Sequence, residues 1–187
     1  MNKSVGALVL LLCASLAQAV TLRGNVEGVS GQGLRVGVWS VGPAGSAGDE
    51  LASAALKGNA FTLSWPDAPP PSRAQYPLKP ESIIWPGVVG NVTLSAPVTG
   101  SLANLFVYAD SNGNGQRDES ERLSEAFAEV GRQPLVIVWA NGNTNVAAGR
   151  GFSASLKSGW NVFSVDLGRN ASVKPYGGEP LNVRAQR

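Results

Sequence analysis

The chain has 187 residues, with 15 Lys and Arg against 13 Asp and Glu, no histidine and one cysteine. Without imidazole there is no Ser–His–Asp or Cys–His catalysis and no switching near neutral pH, and without cysteine pairs there is no disulfide and no thiolate zinc site. The near-neutral balance, with no basic cluster, argues against nucleic acid as a partner, because phosphate binding needs concentrated Lys and Arg.

Residues 1–19, MNKSVGALVLLLCASLAQA, have the features of a secretory signal peptide. Lys3 supplies the positive start, Val5 to Leu12 an apolar run too short to span a bilayer, and Ala17-Gln18-Ala19 a small-x-small cleavage site. Cys13 offers a rival, lipoprotein reading, but the residues before it, Leu10 to Leu12, are bulky where that processing needs a small one. The expected mature chain begins at Val20 and holds 14 basic and 13 acidic side chains, no cysteine and no transmembrane segment. Its expected place is secreted, periplasmic or in the cell envelope. Mass spectrometry of exported material should give an N-terminus at Val20; a lipidated Cys13 or a retained leader would overturn the assignment.

Beyond the leader, short Val-, Leu- and aromatic-rich segments alternate with Gly- and Pro-rich turns, the pattern of an all-β sandwich of Ig or prealbumin type. Strands are expected at 21–28, 34–41, 51–58 and 60–65, the last two as a pair around KGNA. Residues 66–83 form a strap; six prolines in 66–80 cannot donate to a ladder and favour extended polyproline backbone. The strap divides a 20–65 module from an 84–187 module. The first is of marginal size for an independent core without disulfides and is expected to pack on the second. Further strands are expected at 88–96, 102–110, 134–140, 151–156 and 161–167, with a hairpin turning at Ser158-Gly159. Leu123, Phe127 and Val130 recur at helical spacing before Gly131, which suggests one short helix.

Residues 110–121, DSNGNGQRDESE, meet the calcium-loop pattern D-x-[DN]-x-[DN]-G-x5-E at every position. Calcium takes six to eight oxygens, and side chains at alternate positions of a tight turn point toward one centre. Asp110, Asn112 and Asn114 are the alternate ligands, Gly115 frees the backbone to turn, and Gln116 offers its main-chain carbonyl. Asp118 adds a carboxylate, directly or through water, and Glu121 closes the shell, ideally with both oxygens. A strand enters the loop where an EF-hand has a helix, position 8 is Arg117 where paired loops carry an aliphatic residue, and there is no second loop. The expected role is a strand–loop staple, not a switch that opens a groove.

The run FVYADSNGNGQRDESE resembles the calcium loop of secreted bacterial prealbumin-like β-sandwich domains, the B-type repeats of surface adhesins, and also dockerin-type loops. In the adhesin repeats a strand ends in Asp and enters D-x-N-x-N-G-x-x-D-x-x-E, which Asp110, Asn112, Asn114, Gly115, Asp118 and Glu121 match one for one. LASAALKGNAFTLSWP looks like the G-x-F-x-L strand of carboxypeptidase-regulatory-like sandwiches, with its glycine out of place relative to Phe61. The resemblance implies fold class, calcium and export, and no particular ligand.

The expectation is a non-enzymatic exported protein whose partner is an envelope or extracellular protein or glycan. Trp39, Trp65, Trp85, Trp139 and Trp160 offer the alternative, a carbohydrate-binding module that stacks sugars on exposed rings, with Trp65 and Trp85, beside their prolines, expected to be partly exposed. A Ser–Lys pair in 153–157 lacks the S-x-x-K spacing, and Asp49, Glu50 and Asp166 are not placed together by anything in the sequence. The sequons at Asn91 and Asn170 carry meaning only in a eukaryotic secretory pathway.

Overall fold

Alternation of apolar and polar side chains runs through the described residues, 19–43 and 45–186 in the computed structural model. The expected leader, Cys13 included, lies outside them except for Ala19. In β4, Phe61, Leu63 and Trp65 are buried while Ala60, Thr62 and Ser64 are exposed, the period-2 pattern of a strand with one face in a core. Fourteen strands form in this way: β1 (Ala19–Glu27), β2 (Leu34–Val41), β3 (Ala47–Ala55), β4 (Ala60–Pro66), β5 (Tyr76–Pro77), β6 (Thr93–Leu94), β7 (Thr99–Ala109), β8 (Ser124–Val130), β9 (Gln133–Ala140), β10 (Thr144–Ala147), β11 (Ser153–Leu156), β12 (Gly159–Asp166), β13 (Ser172–Pro175) and β14 (Leu181–Ala185). The fold is an all-β sandwich, and its helical content is limited to short 3-10 turns. None of the described helices is long and apolar enough to cross a membrane.

An 11-stranded sheet runs in the order β13-β12-β9-β7-β8-β14-β1-β4, with β2 and β5 also paired to β7 and β3 paired to β2. A three-stranded sheet, β11-β10-β6, covers part of it. The large sheet curls, so that Leu22, Val38, Leu63, Leu105 and Leu181, from five strands, meet in one core. On its opposite face Val138, Phe163 and Val165 pack with Val146, Phe152 and Leu156 of the covering layer to form a second core. Each such fully buried side chain contributes about 1.5–3 kcal/mol over its exposed state.

Residues 20–65 and 84–187 share the first core. β2 pairs with β7 along its whole length, and β1 runs parallel to β14, with Gly24 opposite Leu181. The strap between them is fastened down: β5 pairs with β7, and Leu78 and Ile83 are buried in the second core.

Several expectations change. The segment expected as a helix is β8. Ala126 lies in the first core with Ala128 and Val130 packed against it, whereas Phe127, the middle of the proposed helical stripe, is 60% exposed. Pairing with β7 and β14 decided between the two periods, and Gly131, at φ 63°, makes the turn into β9. Of 88–96 only Thr93 and Leu94 are strand. The expected hairpin at Ser158-Gly159 is instead a crossing between sheets, since β11 pairs with β10 and β12 with β9. Around KGNA a single bridge, Lys57 to Ala60, closes the turn before β3 goes to β2 and β4 to β1.

Candidate metal centre

β7 delivers the loop. Its last residues face β2 in strict register, Arg35 opposite Tyr108 and Leu34 opposite Ala109. One step further, the Asp110 N–H donates to the Gly33 carbonyl at 2.9 Å. Gly33 has φ +66°, and a Cβ there would come within 2.5 Å of the Asp110 carbonyl oxygen. The first loop position is therefore clamped to the neighbouring strand's entry, and only glycine fits opposite it.

From that anchor the chain folds back on itself. The two Asp110 carboxylate oxygens accept the N–H groups of Asn114 (3.0 Å) and Gly115 (2.9 Å). Asn112 Oδ1 accepts the Asn114 N–H at 3.0 Å and Asn114 Oδ1 accepts the Gln116 N–H at 2.8 Å, two Asx turns in succession. The side-chain amides of Asn112 and Asn114 both donate to Asp118 Oδ2, at 2.6 and 3.1 Å. Glu121 closes the circle. Its Oε1 accepts both the N–H and the hydroxyl of Ser111, at 2.6 and 2.9 Å, and its Oε2 accepts the Asp118 N–H at 3.0 Å.

The carboxylates at the two ends of the loop are buried, Asp110 at 8% exposure and Glu121 at 5%. The Asp118 and Ser111 N–H groups hold Glu121 in its charged form and draw its pKa below the ordinary glutamate value, with the Arg117 charge assisting. Arg117 also ties the loop's end, its Nε donating to the Glu121 carbonyl at 2.9 Å.

Sequence reasoning missed a polar support behind the loop. Arg35 Nη1 lies 3.8 Å from Asp110 Oδ2, and its Nη2 donates to Ser53 Oγ at 3.1 Å. Ser53 in turn donates to the Gly115 carbonyl at 3.4 Å, and the buried Tyr108 hydroxyl donates to Glu50 Oε1 at 3.2 Å. Burial raises the Tyr108 pKa, and the Glu50 charge pushes in the same direction. The signal was present in the alternation of β2, which puts Arg35 on the face away from Val36 and Val38. What the sequence lacked was the register that sets Arg35 against Tyr108.

The structure thus brings Asp110, Asn112, Asn114, Gln116, Asp118 and Glu121 into one closed loop. Among the described residues, no three His, Cys, Asp or Glu side chains form a group that could hold a metal. An ion here would depend on amide and main-chain oxygens as well. The donor set has them. Both Asp110 oxygens and both asparagine Oδ1 atoms accept one N–H each, leaving a lone pair free, while Asp118 Oδ1 and the Gln116 carbonyl accept none among the described residues. Glu121 departs from its expected role, because Oε1 is already taken by two donors and only Oε2 has room. An all-oxygen set of this size would suit calcium, to which Glu121 would offer one oxygen.

The other candidates separate. Trp39, Trp65, Trp85 and Trp139 are buried at 3–7% exposure, and half-buried Trp160 stands edge-on to Trp65 at 5.9 Å with its indole N–H on the Ala68 carbonyl. The rings expected as an exposed platform are packing. Trp65 faces the first core and Trp85 the second. Asp49 pairs with Arg73, Glu50 with Tyr108, and Asp166 with Gln133 and the Gly168 N–H. No family model, no curated protein and no solved structure was found to match this chain.

Proposed function

We propose that the protein is an exported, non-enzymatic β-sandwich in which loop 110–121 holds a calcium ion as a structural staple, in an envelope or extracellular interaction role. The observation that carries the reading is the pair of buried carboxylates, Asp110 and Glu121, that close the two ends of a loop rich in free oxygen lone pairs. Arg35 is the one cationic group within ion-pair distance of Asp110, and Glu121 has no ion pair among the described residues. A divalent cation supplies the missing charge. The chain's own part is to bring the oxygens together from the β7 side, to fix Asp110 through Gly33, and to brace Gly115 through Ser53.

Export fits this chemistry. Calcium loops of extracellular modules have dissociation constants of roughly 10⁻⁴ to 10⁻³ M, matched to the calcium found outside cells. A cation that binds only the native state stabilises it by RT ln(1 + [L]/Kd), about 1.4 kcal/mol at 1 mM calcium and a Kd near 10⁻⁴ M. The mature protein should therefore melt roughly 3–6 °C higher in 1 mM calcium than in chelator. Magnesium should give less, because it demands six short, rigidly placed oxygens. Asp118→Ala should remove most of the difference and Glu119→Gln, on the exposed side of the loop, none of it. Equal melting in calcium and chelator would reduce the loop to a hydrogen-bonded turn.

A further inference from the structure

Single exposed apolar side chains are common on protein surfaces, but several gathered around one concavity mark a binding surface. Among the described residues only four large apolar side chains are exposed, and three of them, Ile84 (75%), Phe127 (60%) and Leu167 (54%), stand around one groove. Its floor is the face of β7, β8 and β9 that the covering sheet leaves open, and its walls are Gly42 and Pro43 after β2, residues 82–86 at and just beyond the end of the strap, and Leu167 after β12. Its volume is about 650 Å³. That lies within the range of small-molecule sites, roughly 300–1,000 Å³, and the floor is sheet, so every side chain on it is held on rigid backbone.

The charges are one-sided. Among the described residues lining the groove only Glu125 and Glu129 are charged, and the one cation at its rim is Arg184, opposite Phe127 in the β8–β14 register. Glu129 is spoken for by Arg184. Glu125 has no ion-pair partner among the described residues; its Oε1 accepts the Asn104 Nδ2 amide at 2.9 Å, which fixes the carboxylate in place without neutralising it. A fixed carboxylate with no ion pair among the described residues, beside exposed apolar surface, suits a ligand with both characters.

We propose that this groove binds a small cationic amphiphile, its apolar body against Phe127, Ile84 and Leu167 and its ammonium or guanidinium group at Glu125. The apolar walls supply affinity through desolvation, and Glu125 supplies the preference for positive charge. The site is independent of loop 110–121, so it stands or falls apart from calcium binding.

The test is calorimetric titration of the mature protein, in chelator and again in calcium, with octylammonium and with octyl sulfate below their micellar concentrations. The two probes share a chain and differ in the sign of the head. Octylammonium should saturate a single site and bind at least about tenfold more tightly than octyl sulfate. Glu125→Gln, which keeps an acceptor for Asn104, should erase the preference, and Phe127→Ser or Leu167→Ser should weaken octylammonium without lowering the melting temperature. Equal affinity for the two heads, a preference that survives Glu125→Gln, or no saturable binding of octylammonium would overturn the proposal.

Discussion

Gly24→Ala should destabilise the protein by about 3 kcal/mol or more and lower its melting temperature by roughly 6–12 °C. A methyl group at position 24 would press into the Leu181 carbonyl oxygen and lie 2.8 Å from the same residue's amide nitrogen and carbonyl carbon. All three are backbone atoms in a parallel ladder, and Leu181 is fully buried, so no rotamer change relieves the clash. Either β1 moves off β14, breaking the register from Gly24 to Glu27, or the first core opens around Leu181 and Val183. Gly142→Ala is the control: the nearest atom to its methyl group is Val98 Cγ1 at 3.7 Å, so its effect should stay within about 0.5 kcal/mol. Thermal melts of the two variants decide the matter, and equal melting would mean that β1 and β14 are not held in this register.

Asp110→Ala is the second large effect, and most of it should appear even in chelator. The substitution strips the acceptor from the Gly115 N–H, leaves the Asn114 N–H with Asn112 Oδ1 alone, and removes the partner of Arg35, at a position only 8% exposed. Bonds to a charged acceptor are worth about 1.5–3 kcal/mol each when buried, less here because the loop's outer side is wet, so about 2–3 kcal/mol in total is expected. That corresponds to roughly 4–12 °C in melting temperature. In 1 mM calcium the gap to the parent chain should widen further, because the variant also loses the cation's contribution. Asp110→Asn keeps one acceptor oxygen and should fall between. If Asp110→Ala melts like the parent in chelator, the loop is not braced through Asp110.

Fold class was legible because alternation is a local signal. β2 runs from Leu34 to Val41 as expected, since its inward Val36 and Val38 and its flanking turns are all written within eight residues. The shape of loop 110–121 was legible for the same reason: the hydrogen bonds inside it run between residues two to ten positions apart. What the sequence could not carry was long-range choice. Leu123, Phe127 and Val130 fit a helix as well as Ala126, Ala128 and Val130 fit a strand, and only the neighbours β7 and β14 decide between them. β14 itself, Leu181 to Ala185, is too short to announce itself and exists because β1 and β8 flank it. Arg35 and Tyr108 likewise lie in separate strands, and the support they give the loop is a product of register. The groove has the same origin, because Phe127 is exposed only once its segment is a strand.

The parallel contact between β1 and β14 also governs the order in which the molecule can assemble. Nearly all of the described chain lies between the two strands, so their meeting closes the longest loop in the fold. The entropy of that closure must be met before the contact returns any stability, and non-local pairing of this kind slows folding into the millisecond-to-second range. Until it happens, β1 has β4 on one side and an open edge on the other, and β8 lacks its outer neighbour. Docking of the five residues of β14 seals both edges at once, so the last strand of the described residues completes a sheet that the first one began.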